Sequence, residues 1–451
     1  MSLKISPFFC AFLLSGCIFS APKRDIPNIG GVKGAQETAT LVIKNWWQVF
    51  GSEKLNSSIA TALQKSPAVM QASAKVRQQK ALLISAEGVK DISADLNSSA
   101  SLQKSDNPSS ESYSLSLSAG YNVDIADVNG AAIAIAKSNL QSAELSLFET
   151  RQNVSNSLVK EWIKLQALYD QEPMLLNRLE LANKRLEILQ LRFDAGIVSI
   201  DDLLEQQQTV LQLRDSVKTL HSNIRNSNYN LIQISGGIAD RDSKFDDEML
   251  PLGFSIQAEK PLRELLGQRT DILSAWVQVN SSDWAVVKAE RSRYPSISLK
   301  STFSLTGETP SKIFDNWLLS LVGSLVQPLL DGDSRKAEVV RSKALADQNL
   351  WKYRETVVAA ISALSQLLNE ENRIADSISL LKKHKNALEK QFSQAKSKYK
   401  NGSGDYLSWV TIEDAIVQKQ IELLSKNRDL LLVRVNIIEE TGGNPSLIRE
   451  K

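Results

Sequence analysis

The sequence predicts a mainly α-helical chain with a small β part, built from two tandem copies of one helix–hairpin–helix unit. Three observations carry this. Shifted by 206 residues, Arg192-Phe193-Asp194-Ala195-Gly196 falls on Lys398-Tyr399-Lys400-Asn401-Gly402, and Gly236-Gly237 falls on Gly442-Gly443, with no gap between. Such self-similarity over a long period is the mark of a duplicated architecture. In each copy a period-two alternation of apolar and polar residues stands between helix-compatible stretches. The helical stretches that follow far exceed the ordinary globular helix, and their apolar residues step by three and four as in coiled coils.

Composition narrows the chemistry. The 451 residues are 42% apolar, and 53 basic against 51 acidic side chains leave a formal charge of +2. That balance removes the electrostatic case for nucleic acid binding. The chain holds two histidines, His221 and His384, and two cysteines, Cys10 and Cys17. Neither histidine has a ligand partner at metal-binding spacing, and no base accompanies the serine-rich segments, so neither a metal site nor a catalytic nucleophile is expected. The chain reads as a non-enzyme without a cofactor.

The elements follow in order. Residues 1–16 read as a signal peptide: Lys4 precedes an apolar run from Ile5 to Leu14 that is too short to span a bilayer. Leu14-Ser15-Gly16-Cys17 then places a cysteine directly after small residues, and residues 17–50 form the expected lipidated N-terminal segment. Repeat 1 covers 51–240. Asn56 to Val89 is a helix interrupted by Pro67, and a hairpin occupies about 92–124. In its first strand Ala94, Leu96, Ala100 and Leu102 alternate with polar residues, predicting a half-buried strand; in its second, Tyr113, Leu115, Leu117, Ala119, Tyr121 and Val123 do the same. A helical run lacking Gly and Pro extends from about Ala131 to Tyr169, and beyond Pro173 a seam steps through Leu179, Ala182, Leu186, Leu189 and Phe193 to a tip at 193–202. After a linker at 241–262, repeat 2 (263–443) carries a hairpin at about 295–327 and a tip at 399–407, and residues 444–451 form a tail. Ile416-Leu423-Leu430-Ile437 and Val417-Leu424-Leu431-Ile438 form adjacent apolar rows, so the last long helix has more than one neighbour, as in a wall of helices.

No stretch reaches the length of a transmembrane helix, so any spanning part must be β. Strands with one apolar face tolerate no open edge in lipid, and four strands from one chain cannot close a barrel. Closure needs several chains, two giving a filled centre and three a lumen.

The joint order of these features resembles the outer membrane efflux protein family (TolC-like), on its lipoprotein branch similar to OprM and NodT. The residues that carry the resemblance are Cys17, the tandem helix–hairpin–helix copies, the aromatic-x-x-Gly turns with their Gly-Gly ends, and Gln327-Pro328-Leu329-Leu330-Asp331-Gly332. The resemblance implies a homotrimer whose twelve-stranded β-barrel crosses the outer membrane and whose helices form an α-barrel in the periplasm. It implies a duct for cargo delivered by an inner-membrane pump through a periplasmic adaptor, and acyl chains on Cys17; a duct for type I protein secretion and a lipid-anchored coiled-coil structural protein without a pore are the alternatives. By the same resemblance Tyr399, Asp405, Tyr406, Asp201, Asp202 and Glu205 are candidates for the periplasmic constriction, and Phe193, Gly196 and Gly402 for adaptor contact. Gly196 and Gly402 also suit simple αα-hairpin turns, and Asp201 and Asp202 suit the first turn of a helix. One departure from the family is Arg269-Thr270-Asp271-Ile272, where relatives start a helix with proline.

Overall fold

The computed structural model describes residues 45–104, 110–237, 250, 254–256, 266–267, 269–443 and 448–450. The expected signal peptide and Cys17 lie outside them. No helix among the described residues is long and apolar enough to cross a membrane.

The duplication is visible in the element lengths. In copy one, α1 (Glu53–Lys65) and α2 (Pro67–Gly88) lead to strands β1 (Ser93–Gln103) and β2 (Ser110–Val123), then to α3 (Val128–Asp194) and α4 (Ile200–Ile234). In copy two, α5 (Thr270–Arg291) leads to β4 (Ser296–Gly307) and β5 (Asn316–Val326), then to α6 (Ser334–Lys400) and α7 (Tyr406–Glu440). A short β3 (Phe254–Ile256) pairs antiparallel with β6 (Ile448–Glu450). Helices α3 and α6 have 67 residues each, and α4 and α7 have 35 each. The first strands of the copies start 203 residues apart and the second strands 206, so the extra residues of copy two enter at its hairpin turn. Each long helix is entered from an aspartate in the left-handed region, Asp127 (φ 54°) and Asp333 (φ 60°).

Local chemistry accounts for the boundaries. Pro67 opens α2, a position where its missing N–H costs nothing, while Ser52 caps α1 by accepting from Leu55 N at 3.1 Å. The helical stretches read on either side of Pro173 are one helix, about 100 Å long. An interior proline costs about 3 kcal/mol. Here Leu168, Leu175 and Leu179, on both sides of it, pack into one cluster with Val210, Leu213 and Leu220 of α4, and that burial offsets the lost backbone bond. Helix α5 begins at Thr270 without the proline; Arg269 pairs with Asp271 at 2.7 Å and with Glu440, which holds its first turn in place.

The chain divides into two compact units that cut across the sequence repeats, each drawing segments from both copies. The first holds the four-stranded antiparallel sheet, ordered β1-β2-β4-β5. Its pairing puts Leu96, Leu117, Phe303 and Leu319 in one row, flanked on the same face by Tyr121, Leu299, Trp317 and Leu321. The opposite face is polar over β1, β2 and β4, with Asp95, Ser118, Thr302 and Ser320 in register and next to them Ser93, Gly120 and Lys300, while β5 adds the exposed apolar Leu318, Val322 and Val326 to it. Hydroxyls meet across strands at Ser99–Ser114 (2.7 Å) and Ser118–Thr302 (3.4 Å). The expectation of a half-buried β1 fails: all eleven residues are exposed, because β1 is an edge strand and no layer among the described residues covers its apolar face.

The second unit holds the main core. Trp46 and Trp47, presented by a short 3-10 turn, pack with Leu55 and Ile59 of α1, Leu158, Trp162 and Leu165 of α3, Leu231 of α4, and Leu431, Val435 and Ile438 of α7. Phe50 stands 5.6 Å from the Trp162 ring.

Candidate functional site at the helical tips

Both helical hairpins turn through the same backbone device. Gly196 and Gly402 adopt φ of +71° and +73°. In tip one Gly196 N donates to Phe193 O (2.8 Å) and Ile197 N to Arg192 O (2.8 Å); in tip two Gly402 N donates to Tyr399 O (3.0 Å) and Ser403 N to Lys398 O (3.0 Å). These bonds satisfy carbonyls that the helix end would leave open, and glycine takes the left-handed geometry without a Cβ penalty. Gly196, Gly402 and both flanking turns are exposed, while Phe193 is half-buried.

The helices that leave the turns are capped differently. Tip one is capped within itself: Ser199 Oγ accepts from Asp202 N at 3.2 Å, and the Asp202 carboxylate accepts from Ser199 N and Oγ at 3.1 and 2.7 Å. Those bonds hold the Asp202 carboxyl below its ordinary range. Tip two is capped by Asp405, whose carboxylate accepts from Leu407 N at 3.2 Å and also from the Arg192 guanidinium at 2.5 and 3.3 Å. The fork on Arg192 is the main cause of a lowered Asp405 pKa. Asp405 is therefore an ion-paired cap that ties the start of α7 to the end of α3.

That pair is the last rung of a ladder. Arg178, Arg185 and Arg192 recur every seven residues along α3, one heptad apart, and reach Asp414 (2.7 and 3.1 Å), Thr411 (3.5 Å) and Asp405 on α7. Between the rungs Leu181, Val410 and Val417 are buried, with Met174, Tyr406 and Ile421 against them.

Tip two also carries an aromatic cluster. Tyr399 and Tyr406 lie 5.4 Å apart, and Trp409 sits 5.6 and 5.0 Å from them and 6.1 Å from Phe392. Lys396 Nζ stands 5.7 and 5.6 Å from the Phe392 and Trp409 rings. In copy one the corresponding positions are Phe193, Ile200, Leu203 and Leu186, with Gln190 in place of Lys396.

Of the candidate residues, the fold brings Tyr399, Asp405 and Tyr406 together and joins them to Arg192 at the end of copy one. Asp201, Asp202 and Glu205 stand exposed on the first turns of α4. Sequence reading missed Arg178, Arg185, Arg192 and Trp409. The heptad spacing of the arginines was available as a signal; the α7 positions that receive them were not.

No group of three or more His, Cys, Asp or Glu side chains that could hold a metal occurs among the described residues.

Comparison with known proteins matches the family model described as "Outer membrane efflux protein" over residues 58–237 and 262–443. The pyoverdine export outer membrane protein OpmQ of Pseudomonas aeruginosa is 23% identical over 98% of this chain and 97% of its own. The probable outer membrane lipoprotein SilC of Salmonella typhimurium is 18% identical over 98% of each chain. The crystal structure of the outer membrane protein VceC from Vibrio cholerae superposes with a TM-score of 0.79 at 21% identity, covering 89% of this chain and 98% of that one. Two matched segments that together span most of the sequence leave one assignment: this chain belongs to the outer membrane efflux protein family, a family of channels and not of enzymes.

Proposed function

We propose that three copies of this chain form the outer-membrane duct of a tripartite efflux system. The duct passively conducts solutes that an inner-membrane pump delivers through a periplasmic adaptor. The observation that carries this reading is the sheet. Its apolar face is bare, its opposite face is lined with hydroxyls over β1, β2 and β4, and both of its edge strands are unpaired within the described residues. Lipid on one side, water on the other and further copies at the edges satisfy all three at once. Three copies give about twelve strands, enough for a lumen.

The tips are the constriction of this duct, with Asp405, Tyr399 and Tyr406 of copy two as its principal groups and Asp201, Asp202 and Glu205 of copy one as a lesser acidic ring. A carboxylate repeated by threefold symmetry favours cations. Phe193, Gly196 and Gly402 present the exposed turns to the adaptor. Cys17 carries the acyl chains that tether the first residues to the outer membrane, a reading supported by the lipoprotein designation of SilC. Conduction of a secreted polypeptide, as in type I secretion, is the alternative within this class; the pump chooses between them.

Native mass spectrometry in mild detergent tests the assembly: three chains are expected, and a stable monomer that retains its β-structure contradicts it. Metabolic labelling with palmitate tests the anchor. Label is expected in the wild type and absent in Cys17→Ser, and label that persists in the variant overturns the assignment.

A further inference from the structure

Where the start of α5 and the end of α7 meet α3, a polar cavity of about 190 Å³ opens within the second compact unit. Two polar side chains in its lining are more than nine-tenths buried and find no hydrogen-bond partner among the described residues: Asn156, 3% exposed, and Thr270, 7% exposed. Leaving a buried amide or hydroxyl without a partner is costly, so each marks a bond that something else completes. Thr270 also stands where relatives start the helix with proline, and a proline would bring no hydroxyl.

The charge around the cavity is one-sided. Glu149, Asp271, Glu439 and Glu440 line it against Arg269 alone. Arg269 engages Asp271 and Glu440, and Lys160 engages Glu439, so two negative charges are left over among these groups. Glu149 makes no hydrogen bond among the described residues. Burial, and then the Asp271 charge, push its carboxyl up against the opposing pull of Arg269. The spacing sets the shape of an occupant. Glu149 and Asn156 are seven residues apart on α3, two turns along one face and about 10 Å. Asp271 and its neighbour Thr270 belong to the Glu149 end, while Glu439, held by Lys160 one turn beyond Asn156, belongs to the other.

We propose that this cavity binds a small linear diammonium compound, one ammonium against Glu149 and the Thr270 hydroxyl, the other against the Asn156 amide oxygen and Glu439. Two ammonium groups supply the two positive charges that the lining lacks, and each brings three N–H donors to acceptors that have none. A butane linker with a hydrogen bond of about 3 Å at each end covers the distance between the two ends. A compact ion would meet one end and leave the other unsatisfied, and the carboxylates here are not grouped as metal ligands. The site belongs to a single chain and stands apart from the reading of the duct.

Isothermal titration calorimetry of the full-length protein with 1,4-diaminobutane tests this, in mild detergent and about 0.15 M salt, which screens loose attraction to exposed acids. One saturable site per chain is expected, with n-butylamine, which fills one end only, bound about tenfold more weakly. Glu149→Gln, close in size to the native residue, is expected to weaken the diamine about tenfold. Thr270→Pro, which keeps the helix start and removes the hydroxyl, is expected to weaken it several-fold. The melting temperature of the wild type is expected to rise with the diamine and not with butylamine at the same concentration, a reading that needs no variant. No saturable binding by the wild type overturns the site, and equal affinity for the two amines overturns its two-ended fit. Diamine binding that survives Glu149→Gln and Thr270→Pro but falls in Asp201→Asn transfers the amine to the acids of tip one and overturns the site as well.

Discussion

The two helical tips share a backbone and differ in chemistry. Both close on a left-handed glycine with the same pair of hydrogen bonds, yet tip one caps itself through Ser199 and Asp202 while tip two spends its cap on Arg192 of the other copy. Where tip two gathers Phe392, Tyr399, Tyr406 and Trp409, tip one keeps a single aromatic, Phe193, among Leu186, Ile200 and Leu203. Duplication preserved what the turn needs and left the side chains free. Tip two used that freedom to bind across helices, which makes the Arg192–Asp405 pair the latch of the proposed constriction.

The largest expected effect comes from removing that latch. Asp405→Ala with Tyr406→Ala should raise single-channel conductance several-fold and lower cation selectivity, with Asp201→Ala acting less. Conductance and reversal potential equal to wild type in the double variant would move the constriction to the copy-one acids.

The turns themselves offer the next contrast. A Cβ on Gly404 would stand 2.7 Å from Tyr399 N, whereas tip one carries Val198 at the equivalent position. Gly404→Ala should therefore destabilise tip two by about 1–3 kcal/mol, the usual cost of overpacking, while Val198→Gly leaves tip one formed. Hydrogen exchange at Leu407–Val410 and Asp201–Leu204 reads the two effects separately.

Acid separates the tips further. Asp405 is held below its unfolded value by Arg192, so its contribution is complete above the ordinary carboxylate range and is lost as pH falls through its lowered pKa. Asp202, lowered by Ser199, obeys the same sign but loosens only its own cap. Conductance should rise as pH falls below the ordinary carboxylate range, and Arg192→Gln should abolish that dependence. A profile unchanged in Arg192→Gln would detach the pair from the constriction.

The smallest effect expected is that of Ser199→Ala, about 1 kcal/mol of local cap stability, seen as faster exchange in the first turn of α4 with conductance unaltered.

Much of this was legible in the sequence, for reasons that differ by region. The repeat, the hairpins and the turns follow from glycine positions and from periods of two and seven, which are local. Helix continuity through Pro173 was not legible, because packing against α4 decides it. Nor was the Arg192–Asp405 pair, whose members stand 213 residues apart in different copies. The exposure of β1 misled the period-two reading in an informative way: alternation reports which face wants an apolar neighbour and is silent on whether that neighbour is protein or lipid.

Single-channel recording from the full-length protein in liposome-derived bilayers tests the central claim most directly. The account predicts discrete conductance steps, abolished when Leu319→Glu and Leu321→Glu place charge on the apolar face of β5 and block insertion. Protein that inserts into the bilayer and conducts nothing, with the tips intact or broken, would contradict it.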